Sequence, residues 1–133
     1  MGMPASSKAG GMCLGFPDVC KTPILGVPVP IPYPNIAQVS NAKKTVDKVV
    51  IENKETVVKP SKMKSSMGDE VGVQNGVISS KIMKKVTYKK KSPKVSFKGK
   101  KAVYHTAMTS HNKDNFPAGL QISPSQTKVS VAT

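Results

Sequence analysis

The clearest pattern in the chain is alternation at every second position. Pro28, Pro30, Pro32 and Pro34 alternate with Val29, Ile31 and Tyr33. Proline fixes φ near an extended value and has no N–H. In an extended chain, successive side chains point to opposite faces and successive N–H groups to opposite edges. One edge of this run therefore lacks donors, while the other keeps those of Val29, Ile31 and Tyr33. Such a strand can pair fully on one side only, which predicts an edge or wrapping position. A proline-rich linker is the competing reading, but a linker has no need of Val, Ile and Tyr at alternate positions. The whole of residues 13–36 reads as one extended element.

The rest of the chain also reads as β-structure. Residues 45–51 and 56–58 flank a turn-like Glu-Asn-Lys-Glu and predict a hairpin. Residues 95–98 and 101–104 surround Gly99 and predict a second. Segments 77–82 and 84–90 read as further strands, and 127–131 as a last short one. Residues 60–76 and 106–124, rich in Ser, Asn and Gly, read as loops, and 37–44 as a polar connection. No helix-length window shows apolar residues at helical spacing. Residues 1–12, Gly- and Ser-rich, read as a flexible lead-in to a single domain over 13–133.

Two of these hairpins belong to an internal repeat. Lys48-Val49-Val50-Ile51-Glu52-Asn53-Lys54-Glu55-Thr56-Val57 aligns with Lys94-Val95-Ser96-Phe97-Lys98-Gly99-Lys100-Lys101-Ala102-Val103. Asn53 and Gly99 occupy the position where a tight turn needs positive φ. A third partial copy starts at Lys128-Val129-Ser130-Val131. Three related starts predict three strand elements around an axis.

Composition narrows the function classes. The net charge of +14 is carried by lysine without any arginine, and residues 81–101 hold ten lysines and no acid. Interleaved lysine, β-branched and aromatic residues describe strands with one wet face. Nucleic-acid readers usually include arginine, whose planar fork suits phosphate and guanine. A lysine-rich nucleic-acid-binding β module is therefore the alternative reading, with the scarcity of base-stacking aromatics against it. No apolar run approaches the ~20 residues of a membrane-spanning helix. The first residues contain no apolar signal-peptide core, so the expectation is synthesis and first folding in the cytoplasm.

Catalytic signatures are absent from the sequence: there is no serine elbow, no Cys-His-Asp signature and no phosphate-loop order around Gly68 and Gly72. The expectation is a non-enzymatic protein. Candidate metal ligands are Cys13, Cys20, His105 and His111, the right types and number for tetrahedral zinc but at no standard spacing. Ordinary packed residues, or a Cys13–Cys20 disulfide formed after export, remain open beside zinc.

Four motifs carry a family resemblance: C-L-G-F-P-D-V-C-K-T-P at 13–23, P-V-P-I-P-Y-P-N at 28–35, S-S-M-G-D-E-V-G at 65–72 and M-T-S-H-N at 108–112. Together they resemble the PAAR-like proteins, which cap the spike of contractile injection machines such as the type VI secretion system. The resemblance implies a small, mainly β, cone-shaped fold of short strands and hairpins with a pseudo-three-fold arrangement and little helix. It also implies a structural role: one tip seated on a trimeric VgrG-type spike, sharpening it for membrane puncture and effector delivery. The partners implied are the spike trimer, effector proteins and, transiently, the target membrane, with no specific nucleic acid. Such a tip is assembled in the cytoplasm and then injected. Relatives in the PAAR family proper hold zinc near the apex with three histidines and a cysteine; this chain has two histidines, so that site does not carry over intact. The repeat suggests that Lys48, Val49, Lys94, Val95, Lys128 and Val129 lie at three equivalent spike contacts.

Overall fold

The structure, a computed structural model, describes residues 2–133. It is mainly β. The strands are β1 (Gly2–Pro4), β2 (Met12–Ile24), β3 (Val27–Gln38), β4 (Ala42–Lys43), β5 (Val46–Ile51), β6 (Lys54–Thr56), β7 (Lys62–Met63), β8 (Val86–Tyr88), β9 (Ser96–Phe97), β10 (Lys100–Lys101), β11 (Met108–His111), β12 (Phe116–Ser123) and β13 (Ser130–Ala132). A single 3₁₀ turn, Val39–Asn41, is the helical content of the described residues.

The proline strand behaves as its chemistry demands. The order of the seven-stranded antiparallel sheet is β3-β2-β12-β11-β8-β7-β4, which puts β3 at an end with β2 beside it. Along β3 the prolines are exposed and Val29, Ile31 and Tyr33 are half-buried. Residues 13–36, expected as one extended element, are in fact a hairpin. Leu25 and Gly26 both take positive φ, 49° and 78°, which reverses the chain in two residues. The two ends of the sheet, β3 and β4, are joined by the Val39–Asn41 turn, so the sheet wraps round on itself.

The repeat is present residue for residue in the pairing. In β5–β6 Val50 faces Glu55 and Ile51 faces Lys54; in β9–β10 Ser96 faces Lys101 and Phe97 faces Lys100. Both turn pairs, Glu52-Asn53 and Lys98-Gly99, lie at positive φ. The third copy is completed from the other end of the chain. In β13–β1 Ser130 faces Pro4 and Val131 faces Met3, so the N-terminal strand stands where β6 and β10 stand in the other two.

This corrects the expectation of a flexible lead-in over 1–12, of which Met1 lies outside the described residues. Glycine and serine hide a strand here because its partners, Val129 and Val103, are about a whole chain away. Residues 106–124, expected as a loop, contain the whole of β11 and β12. Residues 77–82, expected as a strand, run through turns with Val77 and Ile78 exposed. The apolar core gathers Ala5, Val57, Val103 and Val131 from the three repeats, and Val39, Met63, Val86 and Tyr88 from the large sheet and the turn that joins its ends.

Candidate functional site

Two assemblies stand out: a three-fold backbone frame and, beyond the apolar core, a buried polar network. The frame is built from the second strand of each repeat, extended by a few residues. Three isolated bridges link them in a cycle, Ala5 with Tyr104, Ala102 with Val58, and Thr56 with Ser7. Three backbone bonds follow the same cycle, each 2.9 Å: His105 N–H to Pro4 O, Lys59 N–H to Lys101 O, and Lys8 N–H to Glu55 O. Ser6 sits between the other two strands, donating to Val103 O and accepting from Val57 N–H, both at 3.0 Å. A single chain thereby presents three equivalent sides.

The six residues expected at the spike contacts lie in or just before the first strand of each repeat, beside the second strands that form the frame. Lys48 and Val49 are in β5, Lys94 and Val95 precede β9, and Lys128 and Val129 precede β13. The three lysines are exposed. Lys128 Nζ lies 3.4 Å from Glu52 Oε1, and a groove of about 360 Å³ lined by Val50, Ile51, Glu52, Asn53, Lys128 and Val129 joins the first repeat to the third.

The polar network draws on all four motifs. Asn35, at the end of the proline run, accepts from His111 Nδ1–H through Oδ1 at 2.9 Å and donates through Nδ2 to Ser66 Oγ at 2.8 Å and to Asp69 Oδ2 at 3.3 Å. The other imidazole nitrogen, Nε2, is 2.8 Å from Thr109 Oγ1. The ring lies between two glycine backbones: a Cβ at Gly15 or Gly119 would fall 2.8 or 2.5 Å from His111 Cδ2. Asn112 Nδ2 reaches Lys81 O at 2.6 Å and Asp18 Oδ1 at 3.4 Å. Asn115 donates to Asp18 Oδ1 and to Val19 O, and its Oδ1 accepts from Ile78 and Ser79 N–H. The loop over 66–84, devoid of regular strands, is thus held by side-chain amides. Sequence reasoning missed Asp18, Asn35, Asp69, Asn112 and Asn115; motif positions were the available signal for the first four, and Asn115 lies outside the motifs.

The four expected metal ligands do not converge. Cys13 is buried beside Tyr88, its thiol 3.8 Å from the phenol oxygen, which donates to Gln121 Oε1 at 2.7 Å. His111 has both nitrogens engaged by Asn35 and Thr109. His105 is half-buried on a turn of the frame. Cys20 alone joins a group of potential ligands, with Asp18 and Asp69; all three are buried. The residues present therefore do not fit the histidine-rich zinc site that the PAAR family proper would imply. Both cysteines are free thiols.

Burial dominates the electrostatics. It pushes the Cys13 thiol up to about 12, with the Tyr88 hydrogen bond opposing. It also raises Cys20 to about 12, helped by the charges of Asp18 and Asp69. Asp69 rises to about 7 through burial and its contact with Asp18. His111 falls to about 4 because a buried imidazolium would lose its hydration, the nearby Asp18 only partly compensating.

The family model for the toxin PAAR-like domain matches residues 11–118, most of the chain. This chain belongs to that PAAR-like family. The DNase toxin Tse7 of Pseudomonas aeruginosa is 38% identical over 131 residues, an alignment covering 92% of this chain and 34% of that protein. The chain thus spans about a third of the length of the curated relative it matches. No solved structure matches.

Proposed function

We propose that this PAAR-like chain is a non-enzymatic tip that caps a trimeric VgrG-type spike of a type VI or related contractile injection apparatus. The observation that carries this reading is the three-fold backbone frame. A monomer that sits on a three-fold trimer needs three equivalent sides, and the interlocked β5–β6, β9–β10 and β13–β1 hairpins supply them. Lys48 and Val49, Lys94 and Val95, and Lys128 and Val129 are the proposed contacts, one pair for each spike chain. The deoxyribonuclease in the relative's name describes a protein about three times as long. On our reading the shared third is the carrier and the catalytic part lies elsewhere in that relative.

The β2–β3 hairpin would lead in membrane contact. Its end exposes Ile24, Leu25 and Val27, with Leu25 at 99%. No helix among the described residues is long and apolar enough to cross a membrane. The tip would be assembled in the cytoplasm and leave with the spike and its effectors.

Mixing the full chain with a trimeric spike protein, followed by size-exclusion chromatography with mass determination, tests the reading. We expect one chain per trimer at moderate salt, weakened when Val49, Val95 and Val129 are changed together to Asp. No complex, together with DNA binding that falls steeply with salt, would replace it with the nucleic-acid reading.

A further inference from the structure

The group formed by Asp18, Cys20 and Asp69 is not used by the spike reading and stands independently of it. We propose that these three residues bind a divalent cation of zinc type. One potential ligand atom from each residue lies within 4.8 Å of the others, and Cys20 Sγ is 3.8 Å from Asp69 Oδ2. In a tetrahedral zinc site with Zn–S of about 2.3 Å and Zn–O of about 2.0–2.2 Å, neighbouring sulfur and oxygen ligands are separated by about 3.5 Å. The Cys20–Asp69 pair needs only a few tenths of an ångström of contraction, and Asp18 lies within 4.8 Å of both. One thiolate with two carboxylates suits zinc better than magnesium or calcium, which take oxygen ligands.

A second observation points the same way. Asp18 Oδ2 is fully buried and has no hydrogen-bond partner among the described residues. Its other oxygen is already held by Asn112 and Asn115, so Oδ2 is the atom left to meet an occupant. Asp69 is likewise oriented from outside, by Asn35 Nδ2 at 3.3 Å and Met83 N–H at 3.2 Å. Outer partners of this kind fix the direction of metal-binding carboxylates. A buried carboxylate oxygen without a donor is costly, and a cation removes that cost. On binding, the Cys20 S–H bond breaks, sulfur forms its bond to the cation with the released electron pair, and the proton leaves to solvent. One thiolate and two carboxylates then more than offset the two cation charges, leaving the group with one net negative charge and no redox change.

This site differs from a histidine-rich one, since His111 is already engaged on both nitrogens. It would tie the β2–β3 hairpin to the 66–84 loop, which lacks strands of its own. The competing occupant is a proton shared between the two carboxyl groups.

Cobalt(II) titration of the full, chelator-free chain separates the two. We expect one cobalt per chain, a thiolate-to-cobalt absorption band in the near ultraviolet, and its loss on adding zinc. Cys20→Ser abolishes the band, whereas Cys13→Ser, beside Tyr88, leaves it. Asn112→Ala weakens binding by about 10- to 100-fold, as loss of an outer partner does. Absence of the band in the folded wild-type chain overturns the proposal without recourse to any variant, as does a band that survives in Cys20→Ser. Asp18→Asn that is as stable as the metal-free wild type, in a chain that takes up no cobalt, would assign the pair to a shared proton instead.

Discussion

Removing the N-terminal strand is the sharpest test of the three-fold frame. Consider a chain in which Met is followed directly by Ala9. Five backbone hydrogen bonds disappear: Ala5 N–H to Val129 O, Ser6 N–H to Val103 O, Val57 N–H to Ser6 O, Lys8 N–H to Glu55 O and His105 N–H to Pro4 O. Three side-chain bonds go with them, Gln126 Nε2 to Ala5 O, Ser6 Oγ to Gln121 Oε1 and Ala9 N–H to Ser7 Oγ, besides the β1–β13 pairing itself. At about 1 kcal/mol net for each bond the loss is about 8 kcal/mol. Val57 and Val103, fully buried in the intact chain, would also lose cover. A domain of this size has about 5–15 kcal/mol in total, so the truncated chain should keep less than half its stability. Urea unfolding followed by far-ultraviolet circular dichroism measures this directly. An unchanged midpoint and slope would mean that the segment is an ornament of the frame and not one of its three sides.

Other consequences follow from single residues. His111 is neutral in the folded state, with its pKa depressed from 6.5 to about 4. Its contribution is fully present above pH 6.5 and lost as pH falls through about 4, because the unfolded chain gains a proton that the folded one refuses; the shift amounts to about 3 kcal/mol. The urea midpoint of the wild type should therefore fall more steeply than that of His111→Gln between these pH values, and parallel profiles would contradict it. A Cβ at Gly68, where φ is +114°, would sit 2.2 Å from Pro34 O. Gly68→Ala should cost more than about 1 kcal/mol, read by thermal unfolding, and a neutral result would place the loop differently. Leu25 is held at φ 49° in the first position of a two-residue turn. Leu25→Asn should stabilise the hairpin by up to about 1 kcal/mol while reducing binding to lipid vesicles; unaltered vesicle binding would remove the hairpin end from membrane contact.

What the sequence by itself determined is whatever depends on covalent geometry and near neighbours. Prolines at alternate positions remove donors from one edge wherever the strand lies, so the edge position of β3 was legible before any fold. Asn53 and Gly99 announced two tight turns for the same local reason, and the repeat announced two complete sides and the first strand of the third. Tertiary structure decided the rest. The third side joins Gly2–Pro4 to Ser130–Ala132, a pairing across nearly the full chain that no local pattern encodes. Val77 and Ile78 read as strand by composition, yet the segment turns because Asn115 captures the backbone N–H groups of Ile78 and Ser79. Asp18, Asn35, Asp69, Asn112 and Asn115 look like surface residues one at a time. Burial turns them into a network, since each finds its donors and acceptors on a different segment. Cys20 shows the limit most plainly: the sequence offered two histidines and Cys13 as its companions, and the folded chain surrounds it with carboxylates instead.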